Sequence, residues 1–303
     1  MLYDTNKVKE KVLKTKSDKE KLLKEEYEEL LMLVNEDMKR NLELATEKGA
    51  GAWLTALPVQ AYGYVLNKRD FRDSICLRYG WKIPNIPSHC VCNKKNTVEH
   101  ILNCKQGGFV IMRHNEIRDL EAELLSKICK DVRIEPELLP VGNVSLPPGA
   151  NLADKARLDT AALGLFSPFE RNFTDVRISN FNSPSFKDKS PEKLYELHEK
   201  EKMRHYNQRV IQVEKGTFTP LVFNTNGGMG PQATKFHKKV AEKISEKKNE
   251  NYSDVMNHIR TRLRFTVLRG TLTAVHGDRG RKKRHHPISD MAFNLVPEPY
   301  EVY

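Results

Sequence analysis

The sequence lacks any run of apolar residues long enough to cross a membrane, for which roughly 18 to 20 are needed. Its first residues, MLYDTNKVKEK, also lack the apolar stretch of a secretory signal. Internal repeats are absent as well. Membrane-spanning, secreted and repeat proteins are therefore not expected, and the chain is predicted to be soluble.

Cysteine is scarce, with five residues in a chain of 303. A chain of this length buries a core large enough to fold without disulfides. Cys76 and Cys129 stand apart from the other three cysteines, in apolar helical surroundings. We therefore expect free thiols and a reducing, intracellular compartment.

Positive charge dominates the chain, with a formal net charge of +11. Residues 7–48 hold eleven basic and eleven acidic side chains, so the whole surplus lies downstream. Its extreme is RGRKKRHH at 279–286, which includes the basic run Arg281, Lys282, Lys283 and Arg284. Such a run predicts phosphate contacts or a nuclear-import signal, and hence a nuclear protein. A solvated tail is the alternative interpretation.

Hydrophobic periodicity predicts a mixed α/β (α+β) protein. Apolar residues at steps of three and four predict one long amphipathic helix at 17–46 and further helices at 113–130, 191–213, 232–248 and 253–275. A short helix around Phe71 and Leu77 is expected to end at Gly80, and the Trp53 cluster is expected to be core. Strands are predicted at 132–138, in ARLDTAALGL, in FTDVRIS and in FTPLVFN. The middle of the chain thus has the order helix, three strands, helix, strand.

Three of the five cysteines and a histidine lie in CVCNKKNTVEHILNC, residues 90–104. Zinc takes four thiolate or imidazole ligands in a tetrahedron, and two close ligand pairs joined by a short loop supply them. Because His100 and Cys104 are four residues apart, one helical turn places both on the same face. The spacing predicts a structural zinc site formed by Cys90, Cys92, His100 and Cys104. His89 is the rival ligand, and three buried thiols with a surface histidine is the alternative.

A second candidate site comes from two aspartates in RLDTAALGLFSPFERNFTDVRIS. If Ser167 and Pro168 form a hairpin tip, Asp159 and Asp175 lie opposite each other on paired antiparallel strands. Two such acids repel unless a cation lies between them, and Mg²⁺ suits a pair of carboxylates. Aspartates near strand ends are also commonly solvated, which is the alternative interpretation.

Three further side chains are expected beside the carboxylates. Strand alternation places Arg177 on the same face as Asp175, with Val176 and Ile178 on the other. In the following helix, Lys202 and Tyr206 are one turn apart and can both point at the site. Charged helices of this kind also commonly face water.

These motifs together resemble the restriction-like endonuclease domain of site-specific non-LTR retrotransposons, across residues 88–231. That family carries a CCHC knuckle, an (R/K)PD motif, a second acid some dozen positions later and a KxxxY helix. The matching residues here are Cys90, Cys92, His100 and Cys104, then Arg157-Leu158-Asp159, then Asp175, and finally Lys202 and Tyr206. Leu158 replaces the family's proline, and Arg177 stands where a catalytic lysine often does.

The resemblance implies a PD-(D/E)xK nuclease-like αβββαβ core with a zinc knuckle and flanking helices. It implies a Mg²⁺- or Mn²⁺-dependent endonuclease that nicks DNA by phosphodiester hydrolysis. Asp159 and Asp175 would hold the metal, Lys202 or Arg177 would stabilise charge on the phosphate, and Tyr206 would orient the lysine. A reverse transcriptase region would lie elsewhere in the element, because no YxDD motif occurs in this chain.

DNA, and with it the element's RNA, is the expected partner. Phosphate contacts are predicted from the zinc unit, the final helix and the basic run, through Arg157, Lys94, Lys95, Lys105, Arg260, Arg262, Arg264 and Arg269, together with residues 281–284. The glycine-rich TNGGMGP is either a phosphate cradle at a helix start or a plain turn. Two other classes stay open: a catalytically inactive nucleic-acid-binding protein derived from such an element, and a purely structural zinc protein that assembles through the 17–46 helix.

Five segments are predicted along the chain. They are a charged amphipathic helical arm at 1–48, a helical linker region at 49–87, the CCHC zinc knuckle at 88–108, the nuclease-like domain with C-terminal helices at 109–278, and a basic tail at 279–303.

Overall fold

The computed structural model describes residues 5–277 and 279. Within them the chain forms nine α-helices and a mixed four-stranded sheet. The N-terminal helices are α1 (Thr5–Leu33), α2 (Glu36–Thr46), α3 (Ala52–Thr55), α4 (Lys68–Tyr79), α5 (Val98–Asn103) and α6 (Phe109–Ser126). The strands are β1 (Lys130–Ile134), β2 (Thr160–Leu163), β3 (Arg171–Ser179) and β4 (Thr217–Asn224). Helix α7 (Pro191–Arg209) lies between β3 and β4, and α8 (Pro231–Lys248) and α9 (Tyr252–His276) follow.

The sheet has the strand order β1-β2-β3-β4. The first three strands pair antiparallel, and β3 pairs parallel with β4 along its length, from Asn172 opposite Thr217 to Ser179 opposite Asn224. Parallel neighbours need a crossover connection, which α7 supplies. The predicted order of helix, three strands, helix and strand is therefore present as α6, β1, β2, β3, α7 and β4.

Helices cover both faces of the sheet. On one face α6, α8 and α9 bury an apolar cluster against the strands, in which Val176 and Ile178 take part. On the other face α7 and α2 pack, with Leu44, Leu194 and Val222 in one buried cluster. The expected alternation along β3 is thus confirmed, because Arg177 and Ser179 contact residues of α7.

The prediction of one continuous helix at 17–46 is wrong. Helix α1 ends at Leu33, and Asn35 begins α2 by accepting a hydrogen bond from the Met38 N–H at 2.9 Å. A side-chain cap of this kind satisfies a free amide only at a helix start, so it favours a break between two helices over one long rod.

Three other local predictions need correction. The 113–130 helix ends at Ser126, because Lys130 already belongs to β1. The first strand ends at Ile134 instead of residue 138. The next residue, Glu135, takes a left-handed φ of 49°, which interrupts the extended backbone. In the Trp53 cluster, Trp53 is buried as expected but Leu57 is 76% exposed.

The predictions about membrane spans, cysteines and the basic run compare with the structure in the following way. No helix of the described residues has an apolar stretch of membrane-spanning length. All five cysteines are free, which is consistent with a reducing compartment. The basic run Arg281, Lys282, Lys283 and Arg284 lies outside the described residues, and the five-segment division stays a prediction.

Candidate functional site

The four predicted zinc ligands come together from a tight turn and a short helix. The Asn93 N–H donates to the Cys90 carbonyl at 2.9 Å, and Asn93 takes a left-handed φ of 63°, so Cys90 and Cys92 both lie on one turn. Thr97 caps α5 through its hydroxyl, which accepts from the His100 N–H. Helix α5 carries His100 and ends at Cys104.

The ligand atoms have the spacing of a tetrahedral site. The Sγ atoms of Cys90 and Cys104 are 3.8 Å apart, and Cys92 Sγ lies 3.3 Å from His100 Nε2. A zinc ion about 2.3 Å from each of two sulfurs would hold them about 3.8 Å apart. All four ligand atoms lie within 4.8 Å of one another, and this is the one group of three or more such ligands within 5–277. The set can therefore hold zinc, and His89 is not part of it.

The electrostatics of the cluster favour one thiolate. Burial opposes ionisation of Cys90, but hydrogen bonds from the Cys92 backbone and from His100 outweigh it and lower the pKa of Cys90 to about 6. Burial and the neighbouring Cys90 raise the pKa of Cys104. Thiols that share a proton in this way are placed to lose it to a metal.

The two predicted carboxylates also meet. The β2–β3 ladder pairs Thr160 with Thr174, and the Asp159 N–H donates to the Thr174 carbonyl at 3.0 Å. One step further in the same register, Asp159 faces Asp175, and the two carboxyl groups are close enough to shift each other's pKa. The hairpin turn closes around Ser167, as expected from the sequence.

The aspartates differ in their protonation. Burial raises the pKa of Asp175 to about 6; Lys202 counteracts this rise and Asp159 adds to it. Burial also opposes ionisation of Asp159, but His114 and the Val176 N–H, which donates to Asp159 Oδ2 at 2.6 Å, lower its pKa. Asp175 is therefore the member of the pair that takes up a proton first as the pH falls.

His114 is the residue of this site that sequence reasoning missed. It extends from α6, and its Nε2 lies 3.2 Å from Asp159 Oδ2. Burial lowers the pKa of His114, but the carboxylate of Asp159 outweighs that effect and raises it. The contact joins residues far apart in the chain, and the only available signal was a histidine on the helix that precedes the first strand.

The three other predicted side chains take different positions. Lys202 Nζ forms an ion pair with Asp175 Oδ2 and lies 6.0 Å from the ring centre of Tyr206. Tyr206 packs against Phe218, so its ring forms a wall beside the lysine. Arg177 instead forms an ion pair with Glu201 on α7. Lys202 is thus the cation in contact with the carboxylate pair.

Some side chains predicted to contact phosphate are exposed, and others are held by neighbouring residues. Lys94, Lys95 and Lys105 are exposed around the zinc cluster. Arg157 is exposed and lies 3.2 Å from Glu137.

The prediction for Arg264 in the final helix is wrong, because Arg264 is only 4% exposed and donates to the Ala50 carbonyl at 3.0 Å. The other arginines of α9 are held by neighbours. Arg262 forms a two-pronged ion pair with Glu123, Arg269 donates to the Gly63 and Val65 carbonyls, and the stem of Arg260 lies against Gly49.

The glycine turn TNGGMGP faces side chains of the protein itself. A Cβ on Gly228 would lie 1.7 Å from Glu47 Oε2, and one on Gly230 would lie 2.4 Å from Glu199 Oε1. The same Glu199 oxygen accepts from the Gln232 N–H at 2.9 Å, at the start of α8. A carboxylate thus takes the position that a phosphate would need, which favours the plain-turn interpretation.

Neither a comparison with protein-family models nor one with curated proteins returned a match for this chain. The geometry of the two clusters is therefore the basis for any functional proposal.

We expect purified protein to contain one zinc per chain and Cys104→Ala to lose most of it, because removal of one thiolate opens the tetrahedron. Elemental analysis measures the content, and thermal melts with and without a strong chelator measure its contribution to stability. The matched control is Cys129→Ala, which removes a thiol outside the cluster and should keep full zinc. Zinc-free wild-type protein with an unchanged melt in chelator would contradict the assignment.

Glu47 should make the stability of the protein depend on pH. Burial raises its pKa to about 7, against hydrogen bonds from Tyr195 and Asn224. Because the folded pKa lies above the unfolded one, the folded state binds the proton more tightly. The stability from Glu47 is then fully present below about pH 4.5 and lost as pH rises through about 7.

As the pH rises from about 4.5 to about 7, the free energy of unfolding of the wild-type protein should fall by about 2 to 3 kcal/mol relative to that of Glu47→Gln. Urea unfolding measures both. Glu20→Gln, on the exposed surface of α1, serves as the control and should follow the wild type. Parallel stability curves for wild type and Glu47→Gln between pH 4 and 8 would disprove the prediction.

Proposed function

We propose that this protein is a metal-dependent DNA endonuclease domain of a retrotransposon-like mobile element, with a PD-(D/E)xK-type core. One observation carries the proposal: the carboxyl groups of Asp159 and Asp175 face each other, and Lys202 contacts Asp175. Paired acids beside a lysine are suited to hydrolysis of a phosphodiester. The helix and strand order around them and the zinc-ligand cluster that precedes them in the chain support the same family.

The residues present fit a divalent cation of the Mg²⁺ or Mn²⁺ kind. Asp159 and Asp175 would hold it, since two buried carboxylates that repel each other are stabilised by a cation as well as by a shared proton. When bound, the cation supplies Lewis acidity towards a phosphoryl oxygen and activates a water. Oδ2 of Asp175 is buried and contacts Lys202 Nζ, so a bound cation would share this oxygen with the lysine.

The other side chains have distinct roles in this proposal. Lys202 stabilises negative charge that builds on the phosphate during cleavage. Tyr206 limits the movement of the lysine through its ring. His114 and the Val176 N–H hold Asp159 in position, so these two groups act on the orientation of a ligand and not on the substrate.

The zinc unit would hold the nucleic acid. Lys94, Lys95 and Lys105 are exposed around the cluster. Arg157 is exposed two residues before Asp159, which directly precedes β2. Such contacts to phosphates position a duplex and carry no sequence information.

Asp175→Ala should lower Mg²⁺-dependent nicking of supercoiled plasmid by about 100-fold or more, because one of the two metal ligands is lost. Zinc content and DNA affinity should stay near wild type. The control, Asp154→Asn, removes an exposed acid from the loop before β2 and should nick normally. Equal nicking by Asp175→Ala would refute the assignment. DNA binding without nicking by wild-type protein would favour the inactive nucleic-acid-binding class.

Lys202→Met and Arg177→Met together test which cation serves the reaction. Because Lys202 contacts Asp175 while Arg177 is held by Glu201, the lysine variant should nick about 10²- to 10³-fold more slowly. The nicking rate of the arginine variant should fall by less than about tenfold. Initial nicking rates at saturating Mg²⁺ measure both, and the reverse order would transfer the role to Arg177.

A further inference from the structure

A polar cavity opens at the carboxyl ends of the two parallel strands. Its volume is about 150 Å³, and residues that directly follow β3 and β4, Asn180 and Thr225, lie in its lining. Helices α2, α4, α5 and α9 form the other walls. Crevices outside the carboxyl ends of parallel strands are the usual ligand sites of open α/β sheets.

A buried arginine, Arg264, and a half-buried one, Arg78, lie side by side in this lining. Arg264 donates to the carbonyls of Ala50 and Thr225, and Arg78 donates to those of Ala45 and Ala50. The shared acceptor, Ala50, holds the two guanidinium groups close together. Within the described residues neither forms an ion pair with a carboxylate, and burial with the nearby charge of Arg78 lowers the pKa of Arg264 to about 9. The cavity lining therefore contains two arginines that form no ion pair within the described residues.

Three side-chain nitrogen atoms of lining residues are buried and have no acceptor among the described residues. They are Nε of Arg40, Nε of Arg78 and Nδ2 of Asn180. Asn180 is only 3% exposed, and its Oδ1 is already occupied by the Asn182 N–H, so its amide orientation is set. Because all three unpaired atoms are donors, the fitting ligand is an acceptor, and the positive charge makes it an anion.

The acidic side chains near the cavity do not supply the missing acceptor or neutralise the positive charge. Asp37 lies in the lining but forms an ion pair with Lys187 at 2.8 Å, so these charges cancel. Glu99 of α5 is the other lining acid. Arg40, Arg78 and Arg264 then outnumber it. In the part of the chain that the structure describes, Arg40 is the one of the three that forms an ion pair, with Glu43 at 3.4 Å.

An aromatic ring lies at the mouth of the cavity. Trp81 is 52% exposed and packs against Tyr79 with ring centres 5.3 Å apart. A half-exposed aromatic face beside a positive groove is the arrangement that proteins use for unpaired bases, because every base can stack on it. A base inside a duplex is already stacked, so this feature favours a single strand.

We propose that this cavity binds one phosphate group of a single-stranded nucleic acid, with Arg40, Arg78 and Asn180 as donors and Trp81 stacked against the adjoining base. The inference rests on the proposed association with nucleic acid and names a second contact for it, apart from the carboxylate pair. It requires no cleavage, so it is testable in protein that does not cut.

The test uses tryptophan fluorescence of the full chain without added divalent cation. The chain has two tryptophans, and Trp53 is only 4% exposed, so a change on titration reports on Trp81. A short single-stranded oligodeoxynucleotide should quench the emission, inorganic phosphate should compete for the site, and a blunt duplex of equal length should quench at least fivefold less.

Asn180→Asp is the decisive variant, because it keeps the size and the accepting oxygen of the side chain but replaces the unpaired donor with negative charge. Its affinity for the oligonucleotide should fall at least tenfold. Asn257→Asp makes the same charge change on the exposed surface of α9 and should bind as wild type does. Trp81→Leu should weaken oligonucleotide binding, measured by anisotropy of a labelled strand, while phosphate binding measured by calorimetry stays unchanged.

Oligonucleotide affinity within twofold of wild type in Asn180→Asp, with matching thermal melts, would overturn the proposal. Phosphate binding without any oligonucleotide effect would overturn its nucleic-acid part. These outcomes are separable from the nuclease proposal, since plasmid nicking by a variant with normal strand binding would leave that function standing while this inference fails.

Discussion

The parallel pairing of β3 with β4 is the constraint on which the carboxylate pair with Lys202 and the polar cavity both depend. Parallel strands cannot be joined by a tight turn, so the chain must return through α7, which crosses the sheet. That crossing brings Lys202 over Asp175 in the middle of β3. The same pairing sets the ends of both strands side by side, which places Asn180 and Thr225 in one cavity lining.

Buried charge is treated in two different ways in this molecule. Arg209 is fully buried and donates to the carbonyls of Asn151, Ala153 and Leu139, so it ties loops together. Arg78 and Arg264 also donate to carbonyls, but they share one acceptor and line open space. The first arrangement uses the cation to join loops, whereas the second places positive charge in a cavity lining, where a ligand can meet it.

Features set by neighbouring residues could be predicted from the sequence. The zinc-ligand cluster lies within fifteen residues, and the hairpin that opposes Asp159 and Asp175 follows from strand alternation around one turn. Contacts between distant segments could not be predicted. His114 reaches Asp159 across the loops that separate α6 from β2, and Arg264 looks like any surface arginine until α9 is packed against Ala50. The helix break at Asn35 was missed because a capping asparagine is inconspicuous in a polar helix.

Helix α2 determines where the chain can be shortened. Leu44 is fully buried against α7, and Glu47 accepts a hydrogen bond from Tyr195. A shortened protein that began at residue 49 would expose the apolar side of α7 to solvent and leave the Tyr195 hydroxyl without that acceptor. Expression of the part of the chain that contains the sheet should therefore start before Glu36, so that aggregation through the uncovered helix is avoided.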